Sequence, residues 1–66
     1  MNIEEIRERV QKIRESAGDP EVAHGMEDDL LADMVNYVSA NVGGVIGEMA
    51  IEVMKSFAID FPRWVA

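Results

Sequence analysis

The chain has 66 residues, no cysteine and a formal net charge of −7 at pH 7. These values exclude a disulfide scaffold and a thiolate zinc site, and the charge has the wrong sign for a general nucleic-acid-binding protein. Apolar residues make up 48% and charged residues 29% of the chain, which is typical of a folded domain rather than a disordered segment.

The first predicted element is an amphipathic helix over residues 2–17. Its apolar residues recur at steps of three and four, the spacing of a helix that packs on other helices. Asn2 followed by Glu5 resembles a capping box, and Gly18 is typical of the residue beyond a helix C-terminus. The apolar positions are Ile3, Ile6, Val10, Ile13 and Ala17.

The start of a second helix, over residues 20–41, is predicted by Asp19-Pro20-Glu21. An aspartate accepts hydrogen bonds from the free backbone N–H groups, proline fits the first turn, and a glutamate complements the helix dipole. Gly43 and Gly44 then interrupt the helical pattern, because glycine tolerates backbone conformations that end a helix.

A third helix is expected over residues 45–58, followed by an aromatic tail over residues 59–66. The sequence therefore predicts an all-α fold: one small three-helix domain over residues 1–66 whose C-terminal tail is ordered. In this arrangement Phe61 and Trp64 fold back onto the helices.

The third helix is apolar almost all round. A helix of this kind is central or is buried by another subunit, and in a protein this short no helix is fully surrounded by its own chain. We therefore expect a homo-oligomer, and Gly47 would allow a close helix approach. One face holds Ile46, Met49, Ala50, Val53 and Phe57, and the expected oligomer interface includes Val45, Met49, Ile51 and Met54.

The excess negative charge lies in the middle of the chain, because residues 19–54 hold eight acids and no lysine or arginine. This segment has two structural explanations, neutralisation by the bases of the first helix and plain solubility. The functional interpretation is an acidic surface for a basic protein partner, contacted through Glu27, Asp28, Asp29 and Asp33. One version is a nucleic-acid mimic that also uses Glu21, Glu48 and Glu52.

The single histidine, His24, stands three residues before Glu27 and four before Asp28. On a helix these spacings place an imidazole beside a carboxylate, as a weak divalent-metal site or an acid–base pair requires. The competing structural interpretation is a hydrogen bond from His24 to Asp28 or to the end of the first helix. We expect no cofactor, since residues 43–47 lack the lysine and strand of a phosphate loop.

Two motifs carry a resemblance to another group of proteins. The run Ala23-His24-Gly25-Met26-Glu27-Asp28 and the tail Asp60-Phe61-Pro62-Arg63-Trp64 resemble short phage and bacterial proteins with the pattern A-H-x-x-E-D … D-F-x-R-W. The resemblance implies no catalytic residues. It implies a structural set in which His24 or Asp28 reaches Arg63 near Trp64, and its members are His24, Asp28, Asp60, Phe61, Arg63 and Trp64.

The sequence thus predicts a small, acidic, non-enzymatic interaction protein, with a phage-type accessory or inhibitory role. It would be cytoplasmic and would act through a protein partner as a homo-oligomer, with no direct nucleic-acid or membrane binding. This expectation follows from the acidic start, which is unlike a signal peptide, and from the lack of any apolar run of about 18–20 residues. The alternatives are a metal-binding protein with hydrolase-like chemistry at His24, Glu27 and Asp28, and a fragment without separate activity.

Overall fold

The computed structural model describes residues 1–61 and confirms an all-α fold. Three α-helices follow one another: α1 spans Ile3–Glu15, α2 spans Pro20–Asn41 and α3 spans Gly44–Ser56. Within the described range there is no strand. None of the described helices is both long and apolar enough to cross a membrane. The prediction of an ordered tail concerns residues that lie largely beyond this range.

Local side-chain chemistry starts the first two helices. The Asn2 side-chain oxygen accepts a hydrogen bond from the backbone N–H of Glu5 at 2.9 Å, and its amide donates to the Glu5 carboxylate at 3.2 Å. Asp19 caps α2 in the same way, accepting from the backbone N–H of Val22 at 3.3 Å. Both caps satisfy backbone donors that have no partner inside the helix, as the sequence predicts.

The α-helical part of α1 ends at Glu15, two residues before the predicted end. The following turn is held by tighter bonds, from the Ala17 N–H to the Arg14 carbonyl at 3.2 Å and from the Asp19 N–H to the Ser16 carbonyl at 2.9 Å. Similar bonds continue the chain past α3, where the Ile59 N–H donates to the Ser56 carbonyl at 3.2 Å. Turns with such three-residue hydrogen bonds are common at the ends of α-helices. The helical spacing of apolar residues therefore continues for one or two residues beyond the α-helix itself.

Only Val42 and Gly43 separate α2 from α3. Gly44, the first residue of α3, has a φ of +69°, a conformation that glycine adopts without strain. Gly47 lies one turn into α3 and packs against the carbonyl group of Val42, where no β-carbon fits. The two glycines therefore have different roles: Gly44 makes the turn, and Gly47 lets α3 approach the end of α2.

The contacts of the chain form two compact units, and the prediction of a single domain stays a prediction. The first covers residues 1–31, with α1 and the beginning of α2, and the second starts at Ala32 and contains the rest of α2 and α3. Within the described residues, burial is confined to Gly47 and Ala50 of α3. Neither α1 nor α2 holds a buried residue.

Candidate functional site

Four apolar side chains of α3 are at least half exposed. Val45 is 70% exposed, Ile46 62%, Met49 61% and Val53 50%. Since successive residues turn by about 100° around a helix, these four fall within an arc of about 100°. We call this set the α3 stripe. A continuous apolar face of this kind marks a protein interaction site more often than scattered apolar residues do.

The other side of α3 packs within the second unit. Gly47, Ala50 and Met54 recur at steps of three and four, and Gly47 and Ala50 are the buried pair. Met54 is partly buried, and its sulfur lies 3.0 Å from the hydroxyl oxygen of Ser39 on α2. The hydroxyl also lies 2.7 Å from the Asn36 carbonyl oxygen.

Of the four residues expected at an oligomer interface, three are exposed and one packs within the chain. Val45, Met49 and Ile51 are exposed, and all three line one open groove along α3. Met54 does not belong to this exposed set, because it packs against α2 through Ser39. Ile46 and Val53 are not among the residues expected at the interface, but both are exposed, and their exposure adds them to the candidate surface.

Acidic residues border the stripe. Glu48 and Glu52 line the same groove as Val45, Met49 and Val53. Lys55 donates to the Glu52 carboxylate at 2.7 Å, in a pair whose side chains are about two-thirds exposed. Exposed pairs of this kind contribute little to stability, roughly 0–1 kcal/mol.

The predicted partner-binding acids do not share one face. Glu27, Asp28 and Asp29 are all exposed in the first unit, but as consecutive helical residues they point about 100° apart. Asp29 lines a depression of about 330 Å³ together with Arg9 and Lys12 of α1. This position favours the structural explanation for Asp29, in which the bases of α1 balance its charge. Asp33 is exposed and lies in the second unit.

His24 and Asp28 are neighbours on α2, as their spacing predicts. The imidazole Nε2 lies 3.4 Å from a carboxylate oxygen of Asp28, and the two side chains are 36% and 52% exposed. Across residues 1–61, no group of three or more histidine, cysteine, aspartate or glutamate side chains is placed to hold a metal ion. A catalytic zinc uses three protein ligands, so the His24–Asp28 pair alone falls short of such a site.

The aromatic motif of the tail is described only in part. Asp60 and Phe61 are exposed, Phe61 to 50%. Arg63 and Trp64 lie outside the described residues, so the predicted contact between Arg63 and His24 or Asp28 stays a prediction.

Comparison with other proteins supplies no relative from which site residues can be transferred. The chain matches no protein-family model, no curated protein and no solved structure.

Proposed function

We propose that this chain is a small, acidic, non-enzymatic interaction protein that associates with itself and acts through contacts with another protein. One observation carries the proposal. Among the described residues the only buried apolar side chain is Ala50, whereas 14 large hydrophobic side chains are exposed by 38% or more and the other large ones are only partly buried.

Exposed apolar residues lower the free energy that folding can gain. Burial of apolar surface is the main favourable term, worth about 1.5–3 kcal/mol for a fully buried valine, leucine, isoleucine or methionine. It must offset a backbone entropy cost of roughly 1–2 kcal/mol per residue. A chain of this length that leaves many of its large apolar residues exposed gains stability from association, because the partner covers those residues.

The second part of the proposal concerns the protein partner. The exposed acids Glu27 and Asp28 in the first unit, and the acidic segment as a whole, favour a basic partner through long-range attraction. A cytoplasmic, phage-type accessory or inhibitory role accords with this chemistry and with the resemblance of the two motifs. The α3 stripe and the exposed acids of the first unit are separate sets of residues, so each can be changed without changing the other.

The metal-binding alternative has less support. His24 and Asp28 lie 3.4 Å apart, but the described residues offer this pair no third ligand. The side chain of Glu27, the third residue of the predicted set, is rotated by about 100° around the α2 axis from that of Asp28.

The experiment that tests the proposal is a solution mass by light scattering on a sizing column, over a range of protein concentrations. We expect at least twice the 7.4 kDa of one chain, with dissociation on dilution. A mass of 7.4 kDa at every concentration, with the helices intact by circular dichroism, would contradict self-association.

A further inference from the structure

We infer that the α3 stripe is covered by a second copy of this chain, packed antiparallel, with the two Met49 side chains facing each other across the two-fold axis. The inference rests on the proposed function, because it names the surface through which the chain would associate with itself.

Three of the four stripe residues are spaced symmetrically about Met49. Val45 lies four residues before Met49, and Val53 lies four residues after it. In a two-fold dimer, residue i of one copy contacts residue j of the other, and j contacts i. An antiparallel pair centred on Met49 therefore places each Val45 opposite a Val53, and every one of these contacts is apolar.

Steric access supports the same surface. The stripe side chains are 50–70% exposed, whereas Gly47 and Ala50 on the other side of α3 are already buried within their own unit. A neighbouring helix needs an open face about one helix wide, and α3 offers one along its 13 residues, a length of about 20 Å.

The exposed apolar area is large enough to reach the lower bound for a specific dimer interface. A side chain worth 1.5–3 kcal/mol at 25 cal/mol per Å² has roughly 60–120 Å² of apolar surface. The four stripe residues and Phe57, which is 46% exposed and one turn beyond Val53, then present roughly 200–400 Å² per copy. With polar atoms making up about 35–45% of an interface, two copies bury on the order of 1,000 Å², the lower bound for a specific interface.

Charge fixes how such a dimer responds to salt. In a two-fold antiparallel pair, the edge of one stripe lies beside the same edge of the other, so Glu48 and Glu52 of the two copies approach each other. Lys55, 2.7 Å from Glu52, offsets part of this repulsion. Salt screens the like charges, and the dimer should therefore tighten as ionic strength rises.

Cysteine cross-linking tests the inference directly, because the chain has no cysteine of its own. Cα atoms that face each other between helices 8–10 Å apart are separated by roughly 3.5–5.5 Å, which a disulfide can bridge. We expect Met49→Cys to form a covalent dimer in oxidised glutathione. Leu31→Cys is the matched control, since Leu31 is 59% exposed and Met49 61%.

A second pair of variants reports the direction of packing. Val45→Cys and Val53→Cys should cross-link when they are mixed and should give several-fold less product when each is oxidised alone. A parallel pair would show the reverse pattern. Circular dichroism and the solution mass of each reduced variant establish that it folds and associates as the unsubstituted chain does.

The outcomes separate the inference from the proposed function. An oligomer in which Met49→Cys cross-links no faster than Leu31→Cys overturns the inference and leaves self-association intact. Cross-linking of Val45→Cys alone overturns the antiparallel arrangement. A chain that is monomeric at every concentration removes the proposed self-association, and the inference with it.

Discussion

The α-carbon of Gly47 lies so close to the carbonyl oxygen of Val42 that any β-carbon at position 47 would overlap it. The obstacle is backbone of the α2–α3 turn, which cannot move aside as the end of a flexible side chain can. Gly47 is thus required where α3 begins to pack against α2.

We predict that Gly47→Ala destabilises the protein by up to about 2 kcal/mol. Forcing an extra group into a packed site costs about 1–3 kcal/mol, and the intrinsic helix preference for alanine, about 1 kcal/mol, offsets part of that cost. Urea unfolding at fixed protein concentration measures the difference.

Gly25 provides the matched control, because it lies inside α2 with nothing within 4 Å of an added β-carbon. Gly25→Ala should raise the free energy of unfolding by about 0.5–1 kcal/mol through helix propensity alone. Equal effects of the two substitutions would show that the Gly47–Val42 approach is not a constraint on the fold.

Ser39 and Met54 join α2 to α3, but we expect packing rather than hydrogen bonding to dominate their contribution. The Ser39 hydroxyl has one hydrogen and two nearby acceptors, the Asn36 carbonyl oxygen at 2.7 Å and the Met54 sulfur at 3.0 Å. A thioether is the weaker acceptor, so the hydrogen bond goes to the carbonyl.

Met54→Ala should therefore cost about 1–3 kcal/mol through lost packing, and Ser39→Ala less than about 1 kcal/mol. In a double-mutant cycle of Ser39→Ala and Met54→Leu, the coupling should stay below about 0.5 kcal/mol. A coupling well above that value would mean that the hydroxyl–sulfur contact itself holds the helices together.

The parts of this fold that can be predicted from the sequence are those determined by interactions between residues close together in the chain. The starts of α1 and α2 are predictable, because Asn2 and Asp19 bond to backbone groups only three residues away. The turn before α3 is predictable from Gly43 and Gly44 for the same reason. The ends of the helices are less predictable. The turns after Glu15 and Ser56 keep the helical spacing of apolar residues, but their backbone hydrogen bonds span three residues instead of four.

The candidate site could not be predicted in the same way. Apolar residues surround α3 in the sequence pattern, so the pattern does not indicate which side of α3 packs on α2, because that depends on contacts between residues distant in sequence. From the sequence, Met54 but not Val53 is therefore expected at the oligomer interface, whereas Met54 is partly buried and Val53 half exposed. The available clue was Gly47, which marks the side of closest approach together with residues three and seven positions on.

The Asp19 cap should contribute measurably to stability. Asp19→Ala removes the acceptor for the Val22 backbone N–H, and we expect a loss of about 0.5–2 kcal/mol in the free energy of unfolding. Asp19→Asn keeps an oxygen acceptor but loses the charge, so it should retain most of the effect. If both substitutions cost the same, the charge at the start of α2 matters and the hydrogen bond does not.

Metal ions should leave the thermal stability unchanged. A ligand that binds only the folded state stabilises it by RT ln(1 + [L]/Kd), and a two-residue site such as His24–Asp28 binds divalent ions too weakly for this term to be large. We expect the Tm to shift by less than about 1 °C when Zn²⁺ or Mn²⁺ is added at tenfold molar excess. A larger shift that disappears in His24→Asn would revive the metal-binding alternative.

Salt separates the two kinds of association that we propose, because it acts on them with opposite sign. Contact between two α3 stripes brings Glu48 and Glu52 of both copies together, so raising the ionic strength from about 0.05 M to 0.5 M should lower the dimer Kd several-fold. Attraction between the acidic segment and a basic partner should weaken over the same range.

Neutralising a glutamate beside the stripe should have the same effect on the dimer as high salt. Glu48→Gln should lower the dimer Kd at low ionic strength, whereas Glu21→Gln, which changes an exposed residue of the first unit, should have less effect. Sedimentation equilibrium gives the Kd for each variant. A dimer that weakens steadily as salt is added would place opposite charges across its interface, and the antiparallel stripe contact would then be wrong.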